Sequence, residues 1–113
     1  MKPAPFEYKV PRSLDEALTL LRDHGDEAKL LAGGQSLVPA MNFRVIQPSV
    51  LIDLNCIPEL DYIRQDNRTA LRIGAMTRER RLEFDPLIVR MAPLLTEAMP
   101  HVAHPQIRNR GTL

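Results

Sequence analysis

The segment Ala28-Lys29-Leu30-Leu31-Ala32 is apolar apart from one lysine and runs straight into the pair Gly33-Gly34. An apolar run closed by adjacent glycines predicts a strand that ends in a glycine turn. After Gln35, Ser36 stands where a helix N-cap belongs, and Leu37-Val38-Pro39-Ala40-Met41 follows as a short helix. Proline is accepted in a first helical turn because its missing N–H has no intrahelical partner there. The chain therefore changes from strand to helix across a sharp bend, and the rest of the fold has to be built around it.

The flanking segments supply the material. Phe6 to Val10 alternates apolar and polar residues, as a half-buried strand does. Ser13 caps a helix and Glu16 completes a capping box. Leu14, Ala17, Leu18 and Leu21 form its apolar stripe, and Gly25 supplies the left-handed stop. Val50 to Leu54 is a second continuous apolar strand, stopped by Asn55 and Pro58. Tyr62 to Arg64 and Leu71 to Ile73 read as arms of a hairpin turning at Asp66-Asn67, with Gly74 ending the second arm. Thr77 is placed to cap a helix through Phe84, Asp85-Pro86 reads as cap plus first helical residue, and Pro93 restarts another turn. Leu87, Met91, Leu94, Leu95 and Ala98 give these helices an apolar face. The ten prolines are spread from Pro3 to Pro105 and no repeat or low-complexity tract breaks the chain, so one unit is expected. At this length a chain buries roughly two-thirds of its unfolded surface, enough for one core without staples.

Composition excludes several classes. There is no apolar run long enough to span a bilayer and no apolar stretch behind Lys2, which argues against a membrane span or a secretory signal. Cys56 is the only cysteine, so the chain forms no internal disulfide or thiolate-rich metal site, and a cytoplasmic location is expected. Charge is nearly balanced at +1. The first 56 residues carry −1 and the remainder +2, with all nine bases of the second part being arginines. That asymmetry is too small to indicate a nucleic acid, and aromatic residues for base stacking are missing beside Arg108 and Arg110. Those two arginines suit either a phosphate contact or a subunit surface.

The glycine bend carries the strongest chemical signal. Without Cβ atoms the backbone can come close to a ligand, so that several N–H groups point at one anion, and the Ser36 hydroxyl adds a donor. A helix beginning there would add its positive end. The pattern has neither the lysine of a P-loop nor the spacing of a dinucleotide fingerprint, so a plain structural turn and a phosphate cradle both remain open on the residues alone. His101 and His104 lack a third ligand and Pro105 ends any helix beside them, which argues against a metal site. Cys56 has no base beside it and reads as a small buried residue, and Asp53, in an apolar strand, reads as a structural acid. No side chain is nominated as a general acid, base or nucleophile.

The segments FEYKVPRSLDEALTLL, LLAGGQSLVPAMNFR, LIDLNCIPEL, LRIGAMT and HPQIRNRGTL, in that order, resemble the FAD-binding medium subunit of molybdenum hydroxylases, the carbon monoxide dehydrogenase and xanthine dehydrogenase family. The resemblance covers essentially the whole chain. It implies an α+β fold, the N-terminal part of a PCMH-type FAD-binding domain, with a small mixed sheet and flanking helices over residues 1–113. It also implies that FAD passes electrons from iron–sulfur clusters on a partner subunit to an external acceptor, and that a molybdenum-cofactor subunit binds the substrate. Carried over position by position, Leu30, Leu31, Ala32, Gly33, Gly34, Gln35, Ser36 and Leu37 match the first FAD segment. Val102 matches a further flavin contact, and Thr112 matches the opening of a second segment that continues in the family with a glycine pair. The sequence ends before that pair, so it is expected to be a piece of something longer, holding little FAD by itself and not turning over. The rival readings are a non-enzymatic α+β interaction module, with a purely structural glycine turn, and an arginine-mediated nucleic-acid binder.

Overall fold

In the computed structural model, which describes all of residues 1–113, the most buried strand is the one with the most continuous apolar sequence. The strand Val50–Asp53 is buried at all four positions and lies in the middle of a three-stranded sheet. A strand covered on both faces needs apolar residues at every position rather than at alternate ones, which is what Val50-Leu51-Ile52 provides. Counted in chain order, β1 is Glu7–Lys9, α1 Leu14–His24, β2 Ala28–Leu31, α2 Leu37–Asn42 and β3 Val50–Asp53. The sheet order is β1-β3-β2, with both pairings parallel. Register sets Tyr8 opposite Leu51 and Leu31 opposite Asp53. These elements form one compact unit, Met1–Glu59.

Helix α1 begins as its sequence dictates. The Glu16 N–H donates to Ser13 Oγ at 3.1 Å, and the Glu16 carboxylate turns back to the Arg12 N–H at 2.8 Å. Gly25 closes the helix at φ +51°. The buried stripe is rotated from the expected one. Ala17, Leu20 and Leu21 face the sheet, where the two leucines pack on Ala28, Val50 and Ile52, while Leu18 is 54% exposed and Leu14 lies at the margin. Ala17, Leu20, Leu21 and His24 also follow helical spacing, and the sheet selects that face.

The second compact unit, Leu60–Leu113, holds the antiparallel hairpin of β4 Ile63–Gln65 and β5 Leu71–Ile73. Its turn is closed by Asn67 Oδ1, which accepts from the N–H groups of Thr69 at 2.9 Å and Ala70 at 2.8 Å. The expected sheet is thus divided into a parallel and an antiparallel part. Four short helices follow, α3 Glu79–Phe84, α4 Pro86–Met91, α5 Pro93–Ala98 and α6 Pro105–Arg108. Asp85 caps α4 by accepting from the Leu87 N–H at 2.9 Å, with Pro86 in the first helical position. The Thr77 cap does not form: its hydroxyl donates to the Tyr62 carbonyl at 3.0 Å, and α3 starts two residues later. The core residues here are Leu82 and Ile88, both fully buried, whereas Leu94 points outward at 75% exposure. No helix is long and apolar enough to cross a membrane.

Candidate functional site

Between β2 and α2 the backbone makes the bend expected of Gly33-Gly34. Gly34 sits at φ +76°, a region that L side chains rarely adopt. A Cβ on Gly34 would also lie 3.0 Å from Leu31 Cδ1 and 3.3 Å from Val38 Cγ2. Glycine is therefore favoured there by its conformation, and a Cβ would in addition press the Leu31 and Val38 side chains back by a few tenths of an ångström. Residues 31–34 are half-buried and Gln35 and Ser36 exposed, so the bend is open to a ligand.

Hydrogen bonding within the bend falls on its carbonyls. The Ala32 carbonyl accepts from Asn55 Nδ2 at 3.0 Å, the Gly33 carbonyl from Gln35 Nε2 at 2.9 Å, and the Gly34 carbonyl from the Val38 N–H at 3.0 Å. No cis peptide bond is present, and in a trans peptide the C=O and the following N–H point in opposite directions. With three consecutive carbonyls turned toward the chain's own donors, the N–H groups of Gly33, Gly34 and Gln35 face away from them. None of those three amides donates a hydrogen bond within the chain. The Ser36 hydroxyl makes no capping bond to α2 and remains a further donor. Because α2 is only six residues long, its dipole adds little, and the main-chain amides are the donors the bend has left for an anion. A phosphate-bearing cofactor fits this donor set.

Behind the bend lies a polar network that reading the sequence did not assemble. Asp53, at the end of β3, accepts the Tyr8 hydroxyl on Oδ2, and its Oδ1 accepts the N–H of Asn55 at 2.9 Å and Asn55 Nδ2 at 2.5 Å. Asp53 is thus a structural acid, as its apolar surroundings require. Its hydrogen bond, followed by desolvation and electrostatic interaction first with Asp53 and then with Cys56, pushes the Tyr8 phenol above its usual pKa. The only signal of this network in the sequence is the polar pair Asp53 and Asn55 in LIDLN, two side chains able to bond nearby backbone at the end of an apolar strand.

Leu30 to Leu37 form the bend and its two flanks as one continuous surface of the first unit, whereas Val102 and Thr112 belong to the second. The Val102 carbonyl accepts from Arg108 Nη1 at 2.9 Å, and Thr112 forms an isolated bridge with Arg78. Arg108 is 5% exposed and pairs with Glu83 at 3.1 Å, so it serves the interior and neither a phosphate nor a subunit surface. His104 Nδ1 meets Gln106 Oε1 at 3.0 Å, and no cluster of three or more His, Cys, Asp or Glu side chains is arranged for a metal.

Residues 4–113 match the family model of the FAD binding domain in molybdopterin dehydrogenase. The chain belongs to that family. It is 51% identical over its whole length to the 6-hydroxypseudooxynicotine dehydrogenase complex subunit alpha of Paenarthrobacter nicotinovorans and to the carbon monoxide dehydrogenase medium chain of Hydrogenophaga pseudoflava, spanning 38% and 39% of them. In the solved structure of the Hydrogenophaga pseudoflava carbon monoxide dehydrogenase, which lacks the Mo-pyranopterin moiety of its cofactor, a similar chain superposes with TM-score 0.96 over 99% of these residues and 39% of its own. The chain thus spans about two-fifths of the relatives it matches. FAD is the cofactor of this domain family, and the phosphate cradle is the reading of the glycine bend that agrees with it.

Proposed function

We propose that this chain is the N-terminal portion, residues 1–113, of a PCMH-type FAD-binding domain in an electron-transfer subunit of a molybdenum hydroxylase-type oxidoreductase. Leu30 to Leu37 form its first FAD segment, with the amides of Gly33, Gly34 and Gln35 on the pyrophosphate and the Ser36 hydroxyl beside them. Val102 contributes a flavin contact and Thr112 opens the second segment. When bound, FAD supplies the redox chemistry, while the protein supplies binding, orientation and electrostatics. Electrons come from iron–sulfur clusters on a partner subunit and leave to an external acceptor. A molybdenum-cofactor subunit holds the substrate, and the complex works in the cytoplasm.

The observation that carries this reading is the set of three unpaired amides, Gly33 to Gln35, whose carbonyls are all held from behind. The substrate is left open by the relatives, since two at equal identity are named for 6-hydroxypseudooxynicotine and for carbon monoxide. Three amides and one hydroxyl are only part of the donor set that neutralises a doubly charged pyrophosphate. Residues 1–113 alone accordingly hold little FAD and do not turn over.

Titration of FAD by quenching of flavin fluorescence tests this on the full-length subunit and on residues 1–113. Tight uptake is expected for the former and weak uptake for the latter. Gly34→Val, which must leave φ +76°, should lower the affinity of the full-length subunit about 100-fold. A full-length subunit that ignores FAD, or a folded Gly34→Val protein that binds it as before, would overturn the assignment.

A further inference from the structure

The three peptide planes that aim the amides outward are not held alike. The Gly33 and Gly34 carbonyls are held locally, by Gln35 two residues on and by the Val38 N–H of the next turn. The plane between Ala32 and Gly33 is held from outside the bend, by a side chain 23 residues away. That side chain is Asn55, and both hydrogens of its Nδ2 are committed, one to the Ala32 carbonyl and one to Asp53 Oδ1. Turning the amide over would set its oxygen against two acceptors, so the orientation is determined by its partners. Asp53 is in turn held on its other oxygen by Tyr8, and the Asn55 main-chain N–H adds a second bond to Asp53 Oδ1. The result is a continuous strut from β1, through the end of β3, to the first carbonyl of the bend.

We infer that Asn55 is a positioning residue for the cofactor: by holding the Ala32 carbonyl it points the Gly33 N–H at the guest, and so sets the first donor of the cradle. The inference rests on the FAD reading above. Its chemistry is specific to a side chain that donates twice from one nitrogen at this length. Alanine donates nothing, and aspartate, with nearly the same shape, would face the Ala32 carbonyl and the Asp53 carboxylate with an oxygen.

The test uses the full-length subunit with FAD as the probe, with two readouts, the dissociation constant and the phosphorus NMR shifts of the bound pyrophosphate. Asn55→Ala is expected to weaken FAD about 10-fold and to move at least one phosphorus resonance. Asn55→Asp, though isosteric, should do at least as much. Tyr8→Phe, on a half-exposed side chain, removes the far end of the strut and should move the same resonance with a smaller loss of affinity. A simple packing role for Asn55 predicts instead that Asn55→Asp behaves as the parent and that the phosphorus shifts stay in place, and that result overturns the inference. Should either Asn55 variant fail to fold, unchanged shifts in Tyr8→Phe overturn it in the same way. Failure of the parent subunit to bind FAD is a different outcome and removes the cofactor reading itself.

Discussion

Two glycine bends end apolar or helical segments of this chain, and they use their backbone groups in opposite ways. At Gly33-Gly34 the carbonyls are occupied and the amides face away. At Gly111 both groups are consumed: its N–H donates to the Ile107 carbonyl at 2.7 Å and its carbonyl accepts from the Glu79 N–H at 2.9 Å. Two residues on, the Leu113 N–H donates to the Thr77 carbonyl at 3.2 Å. Gly34 is needed for its positive φ, whereas Gly111 matters for clearance, since a Cβ there would lie 2.6 Å from Glu79 Oε2. Glycine content alone therefore does not mark an anion site. What marks it is which half of each peptide the protein leaves unused.

The largest effect expected from breaking this comparison lies in how the second bend is anchored. Arg108 precedes Gly111 by one turn, and its guanidinium joins the Glu83 carboxylate at 3.1 Å and the Val102 carbonyl at 2.9 Å, with both charged side chains almost fully buried. Arg108→Leu strands a buried carboxylate and should cost about 3–5 kcal/mol of stability, read from urea unfolding. Replacing Glu83 by leucine as well should restore much of it, because a buried pair exchanged for apolar groups is often near neutral. If the single variant lost under about 1 kcal/mol, the pair would be behaving as a surface contact, and the second bend would have to be held by main-chain bonds alone.

A smaller effect is expected at the second glycine itself. Gly111→Ala meets only the far end of the Glu79 side chain, whose Oε2 is buried without a hydrogen-bond partner, so the carboxylate can swing aside at little loss. The reduced freedom of the unfolded chain offsets part of the strain. A change within about 1 kcal/mol in the same unfolding assay is expected. A much larger loss would show that the Glu79 carboxylate is pinned, and that Gly111 is indispensable for clearance as Gly34 is for conformation.

Much of this arrangement was legible from the residues, and the places where it was not share a cause. The Ser13 cap, the Asp85-Pro86 helix start and the apolar run of β3 are local patterns and all three formed, although the Glu16 carboxylate takes the Arg12 N–H, one residue before the cap. The stripe on α1 is ambiguous in the sequence because Leu14-Ala17-Leu18-Leu21 and Ala17-Leu20-Leu21-His24 both fit a helical period, and only the sheet decides between them. The Thr77 hydroxyl has the chemistry of a cap, but it donates instead to the Tyr62 carbonyl, 15 residues earlier. The bend itself was readable in Gly33-Gly34, but the direction of its amides was not, since Asn55 reaches the first carbonyl from 23 residues away. Pairings at that range are set by register, and a single sequence without its fold does not display register.

The smallest expected effect concerns the far end of the strut behind the first bend, and its sign follows from the direction of one shift. The Tyr8 phenol donates to Asp53, which favours the protonated form, so its folded-state pKa lies above the unfolded value of about 10. A group raised in this way contributes its stabilisation fully below the unfolded pKa and loses it as pH rises through the folded one. Phenolate absorbance followed during alkaline titration should therefore include a component that appears late and vanishes in Tyr8→Phe. Stability of the parent should fall relative to that variant as the component titrates, by a small amount because the ring is 54% exposed. A Tyr8 that ionised at or below the ordinary value would mean that the hydroxyl does not donate to Asp53 in solution. The first bend would then be braced by Asn55 and Asp53 alone, without the strand β1 behind them, whereas the second keeps its main-chain bonds to Thr77 and Glu79.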